Sequence, residues 1–232
     1  MMHALSQENR MPTIDLAPLR CVAQGKKRDV YLIPAPRNLA RQPDELCVLK
    51  VPRYAEHLNR HSKAKRVLLS LSSNTEHRAI TREVDYFWTL EKGTSARGML
   101  PIPPFFGFVE TSQGLGALWE AVIDDNQSLA PTLKTLAERG MVGHALPFLN
   151  QFTKEMFETN LITPDLHAGN LVLGTASGQE RLFLIDGFSD HHLISLRDFS
   201  RWYNTRSLLQ RCEKIARQTG LRFDPDQRLF AL

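Results

Sequence analysis

The stretch Thr163-Pro164-Asp165-Leu166-His167-Ala168-Gly169-Asn170 is the densest polar cluster of this 232-residue chain. It lies between a predicted long helix, near residues 144–160, and a predicted apolar hairpin formed by residues 171–173 and 182–185. A second motif, Ile185-Asp186-Gly187-Phe188, closes that hairpin. Asp and Asn are common turn residues, so either motif alone could be a polar turn. Their order and spacing together indicate a functional site rather than two unrelated polar turns.

An aspartate, an asparagine five positions later and a second aspartate after a hairpin form the set that phosphoryl transfer requires. We expect Asp165 to orient an attacking hydroxyl and accept its proton, while Asn170 and Asp186 hold Mg²⁺ against the phosphates of ATP. Mg²⁺ prefers oxygen ligands and keeps several waters, so one carboxylate and one amide are enough. The two motifs therefore predict ATP and Mg²⁺ as cofactors.

Residues Asp165 to Asn170 resemble the DLHxGN catalytic loop of atypical kinases such as the aminoglycoside- and choline-kinase-like group. Asp186-Gly187-Phe188 resembles a permuted DFG motif. From Leu19 to Ala216 the chain is similar to the YrbL family of bacterial PhoP-regulatory-network proteins. The shared order of motifs is Gly25-x-x-Arg28-x-Val30-Tyr31, Leu49-Lys50-Val51, Arg82-Glu83, Asp165 to Asn170 and Ile185-Asp186. The resemblance implies a protein-kinase-like fold and a link to a bacterial regulatory network, without stating a reaction.

A lone cation, Lys50, interrupts the apolar strand predicted at Leu46–Val51. Burying an ammonium without a partner is costly, so Lys50 needs anions nearby. In a kinase these are the phosphates of ATP and a glutamate from the following helix. Glu83 lies at helical spacing between Ile80 and Phe87 and is predicted to be that glutamate. The alternatives are a lysine that reaches water along its stem and an exposed helix charge.

Further cofactor contacts are predicted around the triphosphate and the adenine. Gly25 would let the backbone approach phosphate and Arg28 would bring positive charge, as would Lys26 and Lys27, although a solvated turn explains these residues equally well. The full G-x-G-x-x-G pattern is missing. After the fifth strand, Glu120 and Val122 would hydrogen-bond the adenine, while core packing alone would explain Trp119.

The order of predicted elements indicates an α+β, protein-kinase-like fold. Residues 1–123 are predicted to form an amino-terminal lobe, a five-stranded antiparallel sheet interrupted by one helix. Residues 124–232 are predicted to form a minimal, mainly helical lobe, because only 46 residues follow Asp186. The finer predictions are a fifth strand reaching Ile123, a helix from Ser128 to Arg139, a helical region from Ser195 to Thr219 and a loosely attached tail from Gly220 to Leu232.

Composition narrows the class of protein. Three widely spaced cysteines resemble neither a disulfide framework nor a zinc site, and no apolar run suits a signal peptide or a membrane span, so we expect a cytoplasmic protein. The net charge of +4 is too mild to indicate nucleic acid without a clustered patch. The basic segment from Arg53 to Arg82 is more typical of a solvated loop, and His191-His192 of a surface pair.

Three functions remain open from the sequence. The leading one is a phosphotransferase that acts on a hydroxyl of a protein or small molecule. The second is a nucleotide-binding pseudokinase that serves as a regulatory partner-binding module, which the single glycine and the Asp-Gly-Phe order favour. The third is an anion- or nucleic-acid-binding protein that uses the segment from Arg53 to Arg82, against which the lack of interleaved aromatic residues counts.

Overall fold

The amino-terminal half of the chain folds into a five-stranded antiparallel sheet. The computed structural model describes residues 13–25, 28–36, 45–53, 75–94, 100–188 and 201–232, with side chains given for residues 81–93 of the first helix. The strands are β1 (Cys21–Gln24), β2 (Arg28–Pro34), β3 (Leu46–Pro52), β4 (Phe105–Thr111) and β5 (Gly114–Glu120). They lie in the order β1-β2-β3-β5-β4. The predicted α+β fold with this sheet is confirmed.

One face of the sheet carries an apolar core. Cys47, Leu49 and Val51 of β3 are completely buried there, packed with Tyr31 and Leu118 of the neighbouring strands. Side chains alternate along a strand, so Lys50 lies on the opposite face from these three residues. The core therefore fixes the register of β3 and the face on which Lys50 lies.

The remaining described elements are mainly helical. They are α1 (Thr75–Thr94), α2 (Leu133–Glu138), α3 (Val142–Glu158), β6 (Leu171–Ala176), β7 (Gln179–Leu184), α4 (Arg201–Thr219), β8 (Arg222–Asp224) and β9 (Leu229–Ala231). Helix α3 buries Leu149, Phe152 and Met156, which recur at helical spacing. The β6–β7 hairpin has a continuous register from Leu171–Leu184 to Ala176–Gln179. None of the described helices combines the length and the apolar character that crossing a bilayer requires.

Two compact units divide these elements. One consists of the described parts of Met1–Ile80 together with Phe105–Glu120, and the other of Thr81–Pro104 together with Ala121–Leu232, each in its described part. The first unit holds the five-stranded sheet, and the second holds the polar stretch 163–170, the Asp186-Gly187-Phe188 motif and the hairpin between them. The predicted lobe boundary at residue 123 stays a prediction.

Two predicted boundaries are wrong. The fifth strand ends at Glu120 rather than Ile123, because Ile123 exchanges backbone hydrogen bonds with Thr175 of β6, at 3.1 and 2.8 Å. Helix α2 begins at Leu133 rather than Ser128. Pro131 disfavours helical backbone in the residue before it, and Thr132 caps the helix by accepting the Thr135 N–H at 3.1 Å.

The predicted loose tail is also wrong, because residues 222–231 form a docked hairpin. Phe230 in β9 is buried. Its N–H donates to Oδ1 of Asn150 at 2.7 Å, and its C=O accepts from Nδ2 of the same residue at 3.1 Å. The side-chain amide of Asn150 on α3 thus makes the two hydrogen bonds that a further neighbouring strand would make to Phe230. Arg228 adds a contact of 4.5 Å between its guanidinium and the centroid of the Phe157 ring.

Several predictions concern residues outside the described ranges. These are Lys26 and Lys27, most of the basic segment from Arg53 to Arg82, the pair His191-His192 and the first residues of the helical region predicted from Ser195.

Candidate active site

The loop between α3 and β6 folds back on itself. The Asn170 N–H donates to the His167 carbonyl at 3.0 Å, which closes a turn. The Asn170 side chain then donates from Nδ2 to the Asp165 carbonyl, also at 3.0 Å. These two bonds place the Asn170 amide beside the backbone of Asp165. Although Asp165 and Asn170 are five positions apart in the sequence, the closed loop places the Asn170 side chain next to Asp165.

The second motif joins this loop at Gly187. The Gly187 carbonyl accepts from the hydroxyl of Thr163 at 3.0 Å and from the Asp165 N–H at 3.4 Å. On the other side, the Ile185 N–H donates to the Asn170 carbonyl at 3.0 Å. The β6–β7 hairpin carries the chain away from Asn170 and returns it at Asp186. The structure thus brings together three of the predicted site residues, Asp165, Asn170 and Asp186.

Gly187 has a backbone conformation that explains the Asp-Gly-Phe order. Its φ is +77°, a region that residues with a side chain rarely adopt. A Cβ atom at this position would lie 2.9 Å from the Asp165 Cβ and 3.1 Å from Nδ2 of Asn170. Any other residue would push the two motifs apart. The contact between the two motifs therefore requires a glycine directly after Asp186, where the usual motif has phenylalanine.

The donor set fits a magnesium ion. Because Nδ2 of Asn170 is bound to the Asp165 carbonyl, the oxygen Oδ1 lies at the other end of the amide and could face a cation. Asp186 has one carboxylate oxygen bound to the Gly187 N–H at 2.8 Å, which fixes its orientation. Among the described residues, no three His, Cys, Asp or Glu side chains cluster as a metal site. One carboxylate, one amide, phosphate oxygens and water suit Mg²⁺, which binds few protein ligands.

The Asp165 carboxylate faces solvent, with 66% of its side-chain surface exposed. Nε2 of His167 lies 3.9 Å from Oδ2 of Asp165, and Nδ1 of His167 accepts the Gly169 N–H at 3.1 Å. The neutral ring therefore carries its proton on Nε2, toward Asp165. Burial lowers the pKa of His167, and the Asp165 carboxylate partly opposes that shift. His167 therefore supports the loop through its hydrogen bond with Gly169.

Lys50 is buried in β3, with 8% of its surface exposed. Its Nζ lies 5.4 Å from the centroid of the Trp119 ring on β5. The two residues are diagonal cross-strand neighbours, since Lys50 pairs with Ala117 and Trp119 with Val48. Such a cation–π contact contributes about 2 kcal/mol when it is desolvated. The sequence explained Trp119 as core packing and missed this contact, because the pairing register of β3 and β5 is not a local property.

Glu83 lies on the inward stripe of α1, as predicted. Only 2% of its surface is exposed, and Val84 and Phe87 beside it are also buried. A glutamate is rarely buried this deeply without a partner. Lys50 and Glu83 belong to different units of the chain, and their pairing stays a prediction.

The predicted phosphate contacts Gly25 and Arg28 close the turn between β1 and β2. The Gly25 N–H donates to the Arg28 carbonyl at 2.8 Å, and a Cβ at Gly25 would lie 3.2 Å from that oxygen. The close approach of Gly25 to the Arg28 carbonyl therefore accounts for the glycine. Contact of either residue with phosphate stays a prediction.

The predicted adenine contacts lie where β5 ends. Glu120 is the last residue of the strand, is buried and pairs with Cys47 of β3. Val122 follows two positions later, and its carbonyl accepts from the Ala130 N–H at 3.0 Å. Hydrogen bonding of Glu120 and Val122 to adenine stays a prediction.

Two residues that the sequence did not assign to the site hold the loop. Thr163 is buried, and its hydroxyl donates to the Gly187 carbonyl at 3.0 Å. Gln218, near the end of α4, accepts the Ala168 N–H at 2.9 Å. The position of Thr163 at the start of the polar stretch from Thr163 to Asn170 was the signal that could have identified it. No local sequence pattern identifies Gln218, because its hydrogen-bond partner Ala168 is 50 positions away.

Comparison with known proteins places these motifs in a family. The family model of the PhoP regulatory network protein YrbL matches residues 14–220. The chain belongs to the YrbL family. None of the curated proteins matches the sequence.

Among solved structures, this YrbL-family chain is similar to the protein kinase Rad53, residues 1–466, crystallised in complex with AMP-PNP. The TM-score is 0.50 at 16% identity, over 84% of this chain and 46% of that one. The chain thus spans less than half the length of that kinase structure. The similarity confirms the predicted protein-kinase-like fold.

Proposed function

We propose that this YrbL-family chain is an ATP- and Mg²⁺-dependent phosphotransferase. Its acceptor is a hydroxyl of a protein or small molecule, and its setting is a bacterial regulatory network, as the family description suggests. The observation that carries the proposal is the junction at Gly187. There, the loop with Asp165 and Asn170 is hydrogen-bonded to the segment with Asp186.

The residues of the junction divide the chemistry between them. Asp165 has an exposed carboxylate that can orient the acceptor hydroxyl and take its proton. Asn170 and Asp186 would hold the cation. Mg·ATP supplies the phosphoryl group and the positive charge that stabilises it during transfer.

The remaining predicted contacts concern the nucleotide. Lys50 would bind the phosphates and be oriented by Glu83. Gly25 and Arg28 would lie over the triphosphate, while Glu120 and Val122 would bind the adenine. Support for Lys50 is its burial on the face of β3 opposite the apolar core.

The proposal places the protein in the bacterial cytoplasm. Cys21, Cys47 and Cys212 form no disulfide, which is typical of a reducing compartment. Burial raises the pKa of the Cys47 and Cys212 thiols to about 12, so both are structural rather than reactive residues. The proposed partners are ATP and an acceptor substrate, without nucleic acid.

Replacement of Asp165 by asparagine tests the assignment of the base. Asp165→Asn keeps the size of the side chain, so nucleotide binding should stay close to that of the wild type. Turnover should fall by about two orders of magnitude or more, the usual contribution of a positioned base. The measurement is Mg²⁺-dependent release of phosphate or ADP, beside ATP titration by calorimetry. Asp125→Asn, an exposed change in the same unit, is the matched control.

A pseudokinase is the second candidate. It is favoured by the hydrogen bond from the Gly25 N–H to the Arg28 carbonyl, because this bond occupies a backbone donor that a phosphate-binding glycine would offer to the nucleotide. Under this alternative the wild type would bind nucleotide without measurable transfer, and Asp165→Asn would be silent. Measurable wild-type turnover that Asp165→Asn leaves intact would contradict the assigned role of Asp165.

A further inference from the structure

The peptide groups of Ala168, at the centre of the catalytic loop, are held by two helices. The Ala168 N–H donates to Oε1 of Gln218 near the end of α4, at 2.9 Å. The Ala168 carbonyl accepts from the Lys134 N–H in the first turn of α2, at 3.0 Å. Ala168 itself is completely buried. Both hydrogen-bonding groups of one residue are thus bound to elements outside the loop.

The contact with α2 follows from helix geometry. The first N–H groups of a helix have no partner within it. In α2 the Thr135 N–H is bound by the capping side chain of Thr132, and the Lys134 N–H is bound by Ala168. This contact is made by backbone atoms and would survive most substitutions.

The contact with α4 depends on one side chain. The next two N–H groups of the loop have acceptors within the loop itself: Gly169 donates to the His167 ring and Asn170 to the His167 carbonyl. Of the three consecutive N–H groups, only that of Ala168 has an acceptor from another element. An apolar side chain at position 218 would leave that N–H without its acceptor.

We propose that Gln218 is a positioning residue of this site. By accepting the Ala168 N–H, it holds the loop in the conformation in which Asp165 and Asn170 meet the Gly187 segment. Gln218 is an exposed residue of α4, so we expect its replacement to change the orientation of the loop more than the free energy of unfolding of the chain. The inference rests on the proposed function, since it treats the loop as catalytic.

Three variants separate this role from a general effect on α4. Gln218→Met keeps the length of the side chain and removes the acceptor. Gln218→Glu keeps an acceptor oxygen. Gln210→Met makes the same chemical change at an exposed position of the same helix and is the matched control. If Gln218→Met does not fold, Gln218→Ala replaces it.

The first readout is hydrogen exchange of the Ala168 amide, measured by NMR on the full chain. Loss of one hydrogen bond should accelerate this exchange by about tenfold in Gln218→Met and leave it unchanged in Gln218→Glu and Gln210→Met. The Leu173 amide of β6 reports whether the fold is intact. The second readout is turnover, for which kcat should fall by about tenfold in Gln218→Met while KM for ATP stays constant.

Each outcome decides one question. Wild-type exchange of Ala168 in Gln218→Met overturns the positioning role, and so does an equal loss of kcat in Gln210→Met. If the wild type has no turnover, the proposed function fails. The exchange readout then still decides whether Gln218 holds the loop, because it does not require activity.

Discussion

The two motifs of the candidate site meet at Gly187, and their contact depends on the backbone conformation of this one residue. The sequence presents Asp-Gly-Phe as a departure from the kinase pattern, which counted toward a pseudokinase. The structure gives a steric reason for the glycine, since a Cβ there would collide with Asp165. The order of residues is therefore compatible with an active site and does not by itself favour an inactive one.

Replacement of Gly187 by alanine should disrupt the site. The strain of a left-handed residue costs about 1 kcal/mol, and the contact with Asp165 adds to it. Gly178→Ala is the matched control, because Gly178 has a similar φ of +72° but no atom within 4 Å of the added Cβ. Denaturant unfolding should show a larger loss for Gly187→Ala, together with loss of nucleotide binding. Equal losses for the two variants would contradict the steric account.

Lys50 and Glu83 should act as one unit if they form the predicted pair. Lys50→Met and Glu83→Gln should each lower turnover sharply, and the double variant should lose little more than either single one. Circular dichroism should show that Lys50→Met keeps the fold. Additive losses in the double-mutant cycle would show that the two residues act independently.

Among the elements, the β6–β7 hairpin sets the distance along the chain between the two motifs. Its strands were predictable because they are short apolar runs around a turn-rich segment. The start of α2 was missed because Pro131 and Thr132 override the helical pattern of the residues before them. The docking of β9 was missed because its partner, Asn150, is 80 positions away on a helix face. Local sequence patterns thus predict the individual helices and strands. They do not predict contacts between elements that are far apart in the sequence.

Removal of the Asn150 amide tests that docking. Asn150→Ala should lower the free energy of unfolding by about 1–3 kcal/mol, since it leaves both polar groups of the Phe230 backbone without partners. Gln151→Ala is the control, because Gln151 makes only an exposed hydrogen bond to Glu155. Chemical denaturation measures both. A loss no larger than that of Gln151→Ala would mean that the hairpin is docked by its apolar contacts alone.

In the molecule as a whole, the predicted site residues are divided between two units. Gly25, Arg28, Lys50 and Glu120 belong to the unit with the sheet, while Glu83, Val122, Asp165, Asn170 and Asp186 belong to the other. The sequence predicted that Asp165, Asn170 and Asp186 lie in the carboxyl-terminal lobe as the base and the metal ligands, and the structure brings these three residues together.

The most direct test of the central claim is the thermal shift caused by ATP with and without Mg²⁺. A ligand that binds only the folded chain raises its melting temperature by mass action. We expect ATP to stabilise the wild type in a Mg²⁺-dependent manner, and Asp186→Ala to abolish the Mg²⁺-dependent part. Asp125→Ala, in an exposed position, should leave it unchanged. A wild-type chain whose melting temperature does not respond to Mg·ATP would contradict the account.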